Sequence, residues 1–357
     1  MERVKPKMKM NAFGRLLIGG ALFTGMATVQ AIDITGAGAS FPAPVYAKWA
    51  EAYQGTTGNR VNYQAIGSGG GVRQITAKTV DFGASDDPIP GVDLERSGLL
   101  QFPTVVGGVV TVVKLDGIQP GQLLLNGEVL ADIFRGAIKQ WNDARIVALN
   151  PDVTLPSTAI TLVYRSDSSG TTAAFTNYLA QVSPSFQSEI GAGKTVDWKS
   201  GVGGKGNAGV AANVTKIDGS IGYVEYAYAT QNRLSHVAMI NRDGNKVQPN
   251  DATFAAAAAN ADWTAAPGFG VNLNNQPGEQ AWPMTSATYI LMHRQADDPQ
   301  RSREVLAFFR WALNNGQKLA LDLDYVPLPT GVVRQVEASW TQIRDTSGQP
   351  VIASTTQ

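Results

Sequence analysis

The sequence predicts an α/β protein of two lobes, and three observations carry that reading. From Ile32 onward a strand, a loop of small residues, a helix and another strand succeed one another, which is the grammar of a parallel sheet. The chain has 357 residues, more than one hydrophobic core usually serves. A β-branched run at Gly107-Gly108-Val109-Val110-Thr111-Val112-Val113 and a second at Met284 to Met292 read as two strands that cross between the lobes.

Ile32-Asp33-Ile34 is a short strand pattern, and Gly36-Ala37-Gly38-Ala39-Ser40 a glycine-rich turn. Val45, Trp49 and Tyr53 recur at helical spacing, with Ser40 as N-cap and Pro42 just inside the helix. Val61 to Ile66 alternates as a strand, and Gly67-Ser68-Gly69-Gly70-Gly71 leads into a helix marked by Val72, Ile75 and Thr76. Val80, Phe82 and Ala84 alternate once more and run into Ser85-Asp86-Asp87-Pro88. Sheets of this kind place ligands beyond the C-terminal ends of their strands, so binding residues are expected along one edge.

The middle segment reads as its own α/β unit. It holds a helix from Gly127 to Arg135, a strand from Ile160 to Tyr164, a helix after Ser169 with Phe175, Tyr178 and Leu179 on one face, and the strand Ile221-Gly222-Tyr223-Val224. Asn250 to Trp263, with five consecutive alanines at 255 to 259, reads as a surface helix. A closing helix is expected from Ser302 to Leu321, its stripe of Val305, Phe308, Phe309 and Ala312 forming core. No repeat of roughly 20 to 50 residues is visible, which excludes solenoids and propellers.

Arg3, Lys5, Lys7, Lys9 and Arg15 precede an apolar run from Leu16 to Ala27 and the small-residue end Val29-Gln30-Ala31. That run is about half the ~20 residues a spanning helix needs, so residues 1–31 read as a secretory signal peptide cleaved after Ala31. The whole chain has 29 basic and 29 acidic residues; without the leader's five and one, 24 and 28 remain, a charge of −4. This balance speaks against nucleic acid as a partner, and anion capture has to be local because the global charge does not attract anions. The absence of cysteine removes disulfides, thiol catalysis, thiolate metal sites and a lipid anchor. The periplasm is the expected compartment, with the mature chain free of the membrane.

Four polar segments stand where a strand ends or a helix starts: Ala39-Ser40-Phe41, Gly67-Ser68-Gly69-Gly70, Ala84-Ser85-Asp86 and Arg165-Ser166-Asp167-Ser168-Ser169-Gly170-Thr171. A helix N-terminus presents unpaired N–H groups and partial positive charge, which suits an anion. One such segment is explained by an ordinary cap; four at the ends of parallel strands are better explained by one shared small oxyanion. Asp167, two residues from Arg165, is placed to hold that guanidinium. Asp86 opposes a fully ionised ligand but accepts a proton from a P–OH, a charge-assisted bond that sulfate cannot offer. Its plainer reading is an Asx-turn before Pro88, a role open to Asp87 as well.

Gly201-Val202-Gly203-Gly204-Lys205-Gly206 fits G-x-G-x-x-G, yet no buried strand pattern precedes it and glycine follows Lys205. It reads as a flexible loop and not as a nucleotide site. His236 and His293 are the only histidines, neither lies in H-E-x-x-H, and no G-x-S-x-G elbow occurs. A binding protein without catalytic residues, metal or cofactor is expected rather than an enzyme.

Thr35 to Pro44, Gly67 to Val72, Val80 to Asp86, Ser169-Gly170-Thr171, Ile221 to Ala229 and Gly278 to Pro283 carry a further signal. With them the chain resembles the periplasmic phosphate-binding proteins of the high-affinity Pst ABC transporters, over nearly all of Asp33 to Ser347. The resemblance implies a type II periplasmic binding protein fold, with lobe I at 32–107 and 283–357, lobe II at 108–282, and the ligand in the interlobe cleft. It implies inorganic phosphate as ligand, bound by Ser40, the Phe41 N–H, Ser68, Asp86 as acceptor of the phosphate proton, Arg165 braced by Asp167, and Ser169, Gly170 and Thr171. It also implies a monomer that delivers phosphate to inner-membrane permease subunits backed by a cytoplasmic ATPase. Gly69 stands where some members have serine, Ser40 where they often have threonine, and Asp87 adds a carboxylate. The rivals are a receptor for sulfate, molybdate or a phosphonate, a secreted phosphatase-like enzyme, and a purely structural or signalling protein.

Overall fold

The computed structural model describes residues 1–2, 31–259, 261–265 and 267–353. The expected leader lies outside the described residues except for its first two and Ala31. Strand β1 (Asp33–Gly38) lies between β2 (Arg60–Ala65) and β3 (Phe82–Ser85), parallel to both. Helices α1 (Ala43–Thr57) and α2 (Ser68–Thr76) make the crossovers. Val45, Tyr46, Trp49 and Tyr53 form the buried face of α1, where Tyr46 meets Phe309 and Tyr53 meets Phe308 edge to face.

The second half repeats the pattern. Strand β5 (Thr161–Arg165) is parallel to β6 (Val202–Gly204) and β7 (Ser220–Glu225). Helix α3 (Gly170–Val182) follows β5, and α4 (Gly206–Lys216) joins β6 to β7. Both crossover sets leave small-residue loops at the C-terminal strand ends.

Two long strands join the halves. The path runs β2-β1-β3-β8-β4-β7-β5-β6, with β4 (Leu99–Val113) and β8 (Thr285–His293) antiparallel at its centre. Residues Leu99 to Gly108 of β4 pair with β8, while Val109 to Val113 pair with β7, Val109 standing opposite Glu225. One fully buried strand thus belongs to both sheets.

The crossing strand begins at Leu99, eight residues before the run that announced it. Pro103 lies inside it, opposite the point where the register shifts between Thr288 and Tyr289, and a bulge is one of the few places a strand accepts proline. Helix α1 is capped by Pro42 without a side-chain bond, so Ser40 is not its N-cap. The alanine-rich helix ends at Ala258 and is not confined to the surface. Its Phe254 is buried and meets Trp282 and Tyr226 edge to face. The closing helix is two, Pro299–Asn315 and Gln317–Leu321, broken at Gly316, whose carbonyl accepts from Trp49 Nε1 at 2.9 Å. A further helix, Thr330–Ser339, follows them. No helix among the described residues is long and apolar enough to cross a membrane.

Candidate functional site

Arg165 is the last residue of β5 and is 5% exposed. Its Nε and Nη2 donate to the two carboxylate oxygens of Asp167 at 2.8 and 2.6 Å, and Nη1 donates to Thr171 Oγ1 at 3.2 Å. A forked pair of this kind fixes the guanidinium plane. Burial alone would raise Asp167, but the Arg165 hydrogen bond and charge hold its carboxyl below the usual range. Asp167 also accepts from the Gly206 N–H at 3.0 Å.

Helix α3 starts beside this pair. Ser169 is its N-cap, accepting from the Thr172 N–H at 3.1 Å, as the strand-to-helix turn after Arg165 predicts. The Gly170 N–H donates to Ser68 Oγ at 3.1 Å. A Cβ at Gly170 would fall 2.5 Å from Ser68 Oγ and 2.7 Å from Asp86 Cβ, so only glycine lets α3 approach α2 and β3 so closely. The same closeness accounts for Gly69, whose N–H donates to the Ser168 carbonyl at 3.0 Å. A Cβ there would collide with the Ser168 side chain. Among the described residues, no protein group accepts from the N–H of Phe41 or Thr171.

Asp86 stands at the end of β3, 4% exposed. Thr288 Oγ1 donates to its carboxylate at 2.7 Å, and Ser68 Oγ lies 3.5 Å from Oδ2. Burial pushes Asp86 up to about 7, against the Thr288 hydrogen bond and the Arg165 charge. The turn before Pro88 is made by neither aspartate side chain. Ser85 Oγ makes it, accepting from the Asp87 N–H at 3.2 Å and donating to the Asp87 carbonyl at 2.7 Å. The Asp87 carboxylate pairs with Lys194 Nζ at 2.8 Å instead. A cavity of about 400 Å³, bordered by Asp86, Asp87, Asn177, Asn272 and Ser286, opens beside the carboxylate.

The segment expected as a flexible loop is a fifth strand-to-helix turn, from β6 into α4. It supplies Asn207, which is fully buried. The Asn207 N–H and Nδ2 donate to Ser40 Oγ at 3.1 and 3.0 Å, Nδ2 lies 3.3 Å from Thr171 Oγ1, and Oδ1 accepts from the Glu225 N–H at 3.1 Å. Tyr228 donates to the Ser40 carbonyl at 2.7 Å. Tyr223 accepts from the Arg165 N–H at 3.2 Å and lies 2.8 Å from Thr172 Oγ1. Asn207, Tyr228 and Tyr223 were not among the expected site residues. The glycine pair before a helix, alike in 67–71 and 203–206, was the available signal for Asn207.

The expected residues therefore converge. Ser40, Asn207, Thr171, Arg165 and Asp167 form one hydrogen-bonded chain, and Ser68, Asp86 and Gly170 a second beside it. Phe41 continues the loop from Ser40; its ring is buried against Tyr325, so its main chain alone faces this region. Donors dominate: a guanidinium, the start of α3, hydroxyls and amide groups surround one carboxylate. Such a shell suits a small oxyanion that carries at least one proton.

Residues 25–315 match the family model of the PBP superfamily domain. The phosphate-binding protein PstS of Pasteurella multocida is 53% identical over 94% of this chain and 98% of its own length. That of Haemophilus influenzae is 52% identical over 93% and 98%. The X-ray structure of a human phosphate binding apolipoprotein superposes with a TM-score of 0.69 at 20% identity, covering 86% of this chain and 94% of that one, a likeness of fold. Matched over most of its length by that model and at better than half identity by these relatives, the chain belongs to the PstS family of phosphate-binding proteins within the PBP superfamily.

Proposed function

We propose that this protein is a periplasmic receptor that captures one inorganic phosphate ion and hands it to an ABC-type importer. The observation that carries this reading is a single buried acceptor, Asp86, inside a shell of donors. The phosphate oxygens take hydrogen bonds from Arg165, the N–H groups of Phe41 and Thr171, and the hydroxyls of Ser40, Ser68 and Thr171. Ser169 and Gly170 shape the helix start that aims those groups. Asp86 accepts the P–OH proton, and a sulfate dianion, having none, meets the carboxylate lone pair to lone pair.

Lobe I comprises 32–107 and 283–357, and lobe II 108–282. Ser40 to Asn207, Gly69 to Ser168 and Asp87 to Lys194 are then contacts across the cleft, with β4 and β8 as the hinge. Closing removes water from the anion and strengthens every bond to it. The protein acts as a monomer, released from its leader near Ala31, and docks on inner-membrane permease subunits driven by a cytoplasmic ATPase. It is a carrier and not an enzyme: Ser40 and Ser169 bond to main-chain N–H groups or Asn207, and Ser68, 3.5 Å from the Asp86 carboxylate, accepts from the main-chain N–H groups of Asp86 and Gly170.

Equilibrium dialysis of protein stripped of ligand by unfolding and refolding tests the reading, with radiolabelled phosphate as probe. One ion per chain is expected, and no saturable uptake would overturn it. Release of phosphate from a generic ester, abolished by Ser169→Ala, would replace the receptor by a hydrolase.

A further inference from the structure

Glu225 ends β7, is fully buried, and caps the following turn of helix by accepting from the Ala227 N–H at Oε1, 3.0 Å away. Its other oxygen, Oε2, lies 2.7 Å from the hydroxyl of Tyr325, and that hydroxyl lies 2.6 Å from the carbonyl oxygen of Phe41. A phenol has one hydrogen to give, and a carbonyl has only lone pairs. If Tyr325 donates to Phe41, an ionised Glu225 sets lone pairs against the phenol oxygen at hydrogen-bond distance. If it donates to Glu225, the Phe41 carbonyl suffers the same opposition. Both contacts are bonding when Glu225 Oε2 carries a proton and donates it to Tyr325, which donates in turn to Phe41.

We infer that protonated Glu225 is a positioning residue: through Tyr325 it clasps lobe II to lobe I and fixes the carbonyl of Phe41, the residue whose N–H faces the anion. The choice of phosphate as ligand rests on the reading above; the proton on Glu225 does not. A second route leads the same way, since the Glu225 N–H holds Asn207 and Asn207 holds Ser40. The titratable groups facing the carboxyl are Tyr325 and Asp324 from the segment after Gln317–Leu321, Tyr228 from its own helix, and Asp86 from the end of β3. None is a cation. Burial first, then Asp86 and Asp324, push Glu225 up to about 8 despite the bonds from Ala227 and Tyr325. A clasp that needs this proton loosens as pH rises through that value.

Glu225→Gln keeps a donor toward Tyr325 and an acceptor for Ala227, so it copies the protonated form at every pH. Phosphate dissociation constants of wild type, Glu225→Gln, Glu225→Ala and Tyr325→Phe are to be measured at two pH values, one unit or more to either side of the Glu225 value. The ratio of wild-type to Glu225→Gln Kd should rise at least about threefold from the acid to the alkaline condition. Titration of phosphate is common to both proteins and cancels in that ratio. Glu225→Ala and Tyr325→Phe should each weaken binding at least about fivefold at the acid pH, with Glu225→Gln recovering most of the loss. A constant ratio, or no recovery by Glu225→Gln in folded protein, overturns the inference. Infrared spectra read the proton without any ligand: the carbonyl stretch of a protonated carboxylic acid should be present near neutral pH and reduced in Glu225→Gln. A band of undiminished intensity in that variant overturns the inference, Asp86 accounting for the smaller band that remains. A wild type that binds no phosphate but shows this band defeats only the choice of ligand.

Discussion

Ser40 Oγ accepts two hydrogen bonds from one residue 167 positions away, the N–H of Asn207 at 3.1 Å and its Nδ2 at 3.0 Å. With both lone pairs occupied, the Ser40 hydroxyl is left with its hydrogen as the free valence. Ser68 is arranged alike, accepting from the N–H groups of Asp86 and Gly170 at 3.2 and 3.1 Å. The fold thereby turns two ambivalent hydroxyls into donors. Asn207→Ala should weaken phosphate binding about tenfold, the ~1 to 1.5 kcal/mol of one hydrogen bond. Asn207→Asp should do more harm, because it adds a buried negative charge beside the anion. Titration calorimetry checks the order, and an Asp variant that binds as tightly as Ala would contradict it.

Asp167 supports Arg165 from two oxygens. Removing it in Asp167→Ala frees the fork to rotate and should cost about 1.5 to 3 kcal/mol of binding, the range for bonds to charged groups. Arg165→Lys replaces a planar fork with a point charge and should be at least as damaging. Wild-type affinity in Arg165→Lys, measured by the same titration, would show that orientation of the cation is unimportant.

The pair between Lys194 and Asp87 is different in kind. Its side chains are 32% and 38% exposed, and exposed ion pairs contribute ~0 to 1 kcal/mol. Lys194→Ala should therefore speed phosphate release by less than about fivefold, and the difference should vanish in concentrated salt, where charges are screened within about 3 Å. Stopped-flow release rates at low and high salt check this; a large effect that salt leaves untouched would mean that Lys194 acts through something other than its charge.

Asp86 gives selectivity a pH dependence whose sign is fixed. Its pKa is raised to about 7, so below that value it carries a proton and donates to an oxyanion, and above it accepts. The preference for phosphate over sulfate should narrow as pH falls from about 8 to about 5.5, tested by competition of sulfate against labelled phosphate. The same shift acts on stability. A carboxyl raised in the folded state holds a proton that the unfolded chain releases, so its contribution is full below the ordinary carboxylate value and is lost as pH rises through about 7. Asp86→Asn should remove that slope from the pH profile of thermal unfolding.

The parallel halves were legible because each crossover repeats one local pattern, with small residues between a strand and a helix, as at Gly36 to Ser40 and Gly67 to Gly71. The helix start at Ser169 followed from the same chemistry, and its cap bond is present. Asn207 escaped because β6 has three residues, too few for an alternation to be seen. Ser40 had every local mark of an N-cap, yet its side-chain partner comes from a turn 167 positions away. Pro103 hid the first half of β4, since the bulge that accommodates it depends on a strand nearly 200 residues further on. Glu225 sits among the residues of an apolar strand, and only the meeting of distant segments brings Tyr325 to its second oxygen.

The most direct test is titration calorimetry of ligand-free protein at about pH 8 with phosphate and with sulfate, for wild type and for Asp86→Asn. Phosphate heat at one ion per chain with none from sulfate, and sulfate heat appearing in Asp86→Asn, is the expected result. Equal binding of the two ions by wild type, or full rejection of sulfate by Asp86→Asn, would contradict the role assigned to that carboxylate.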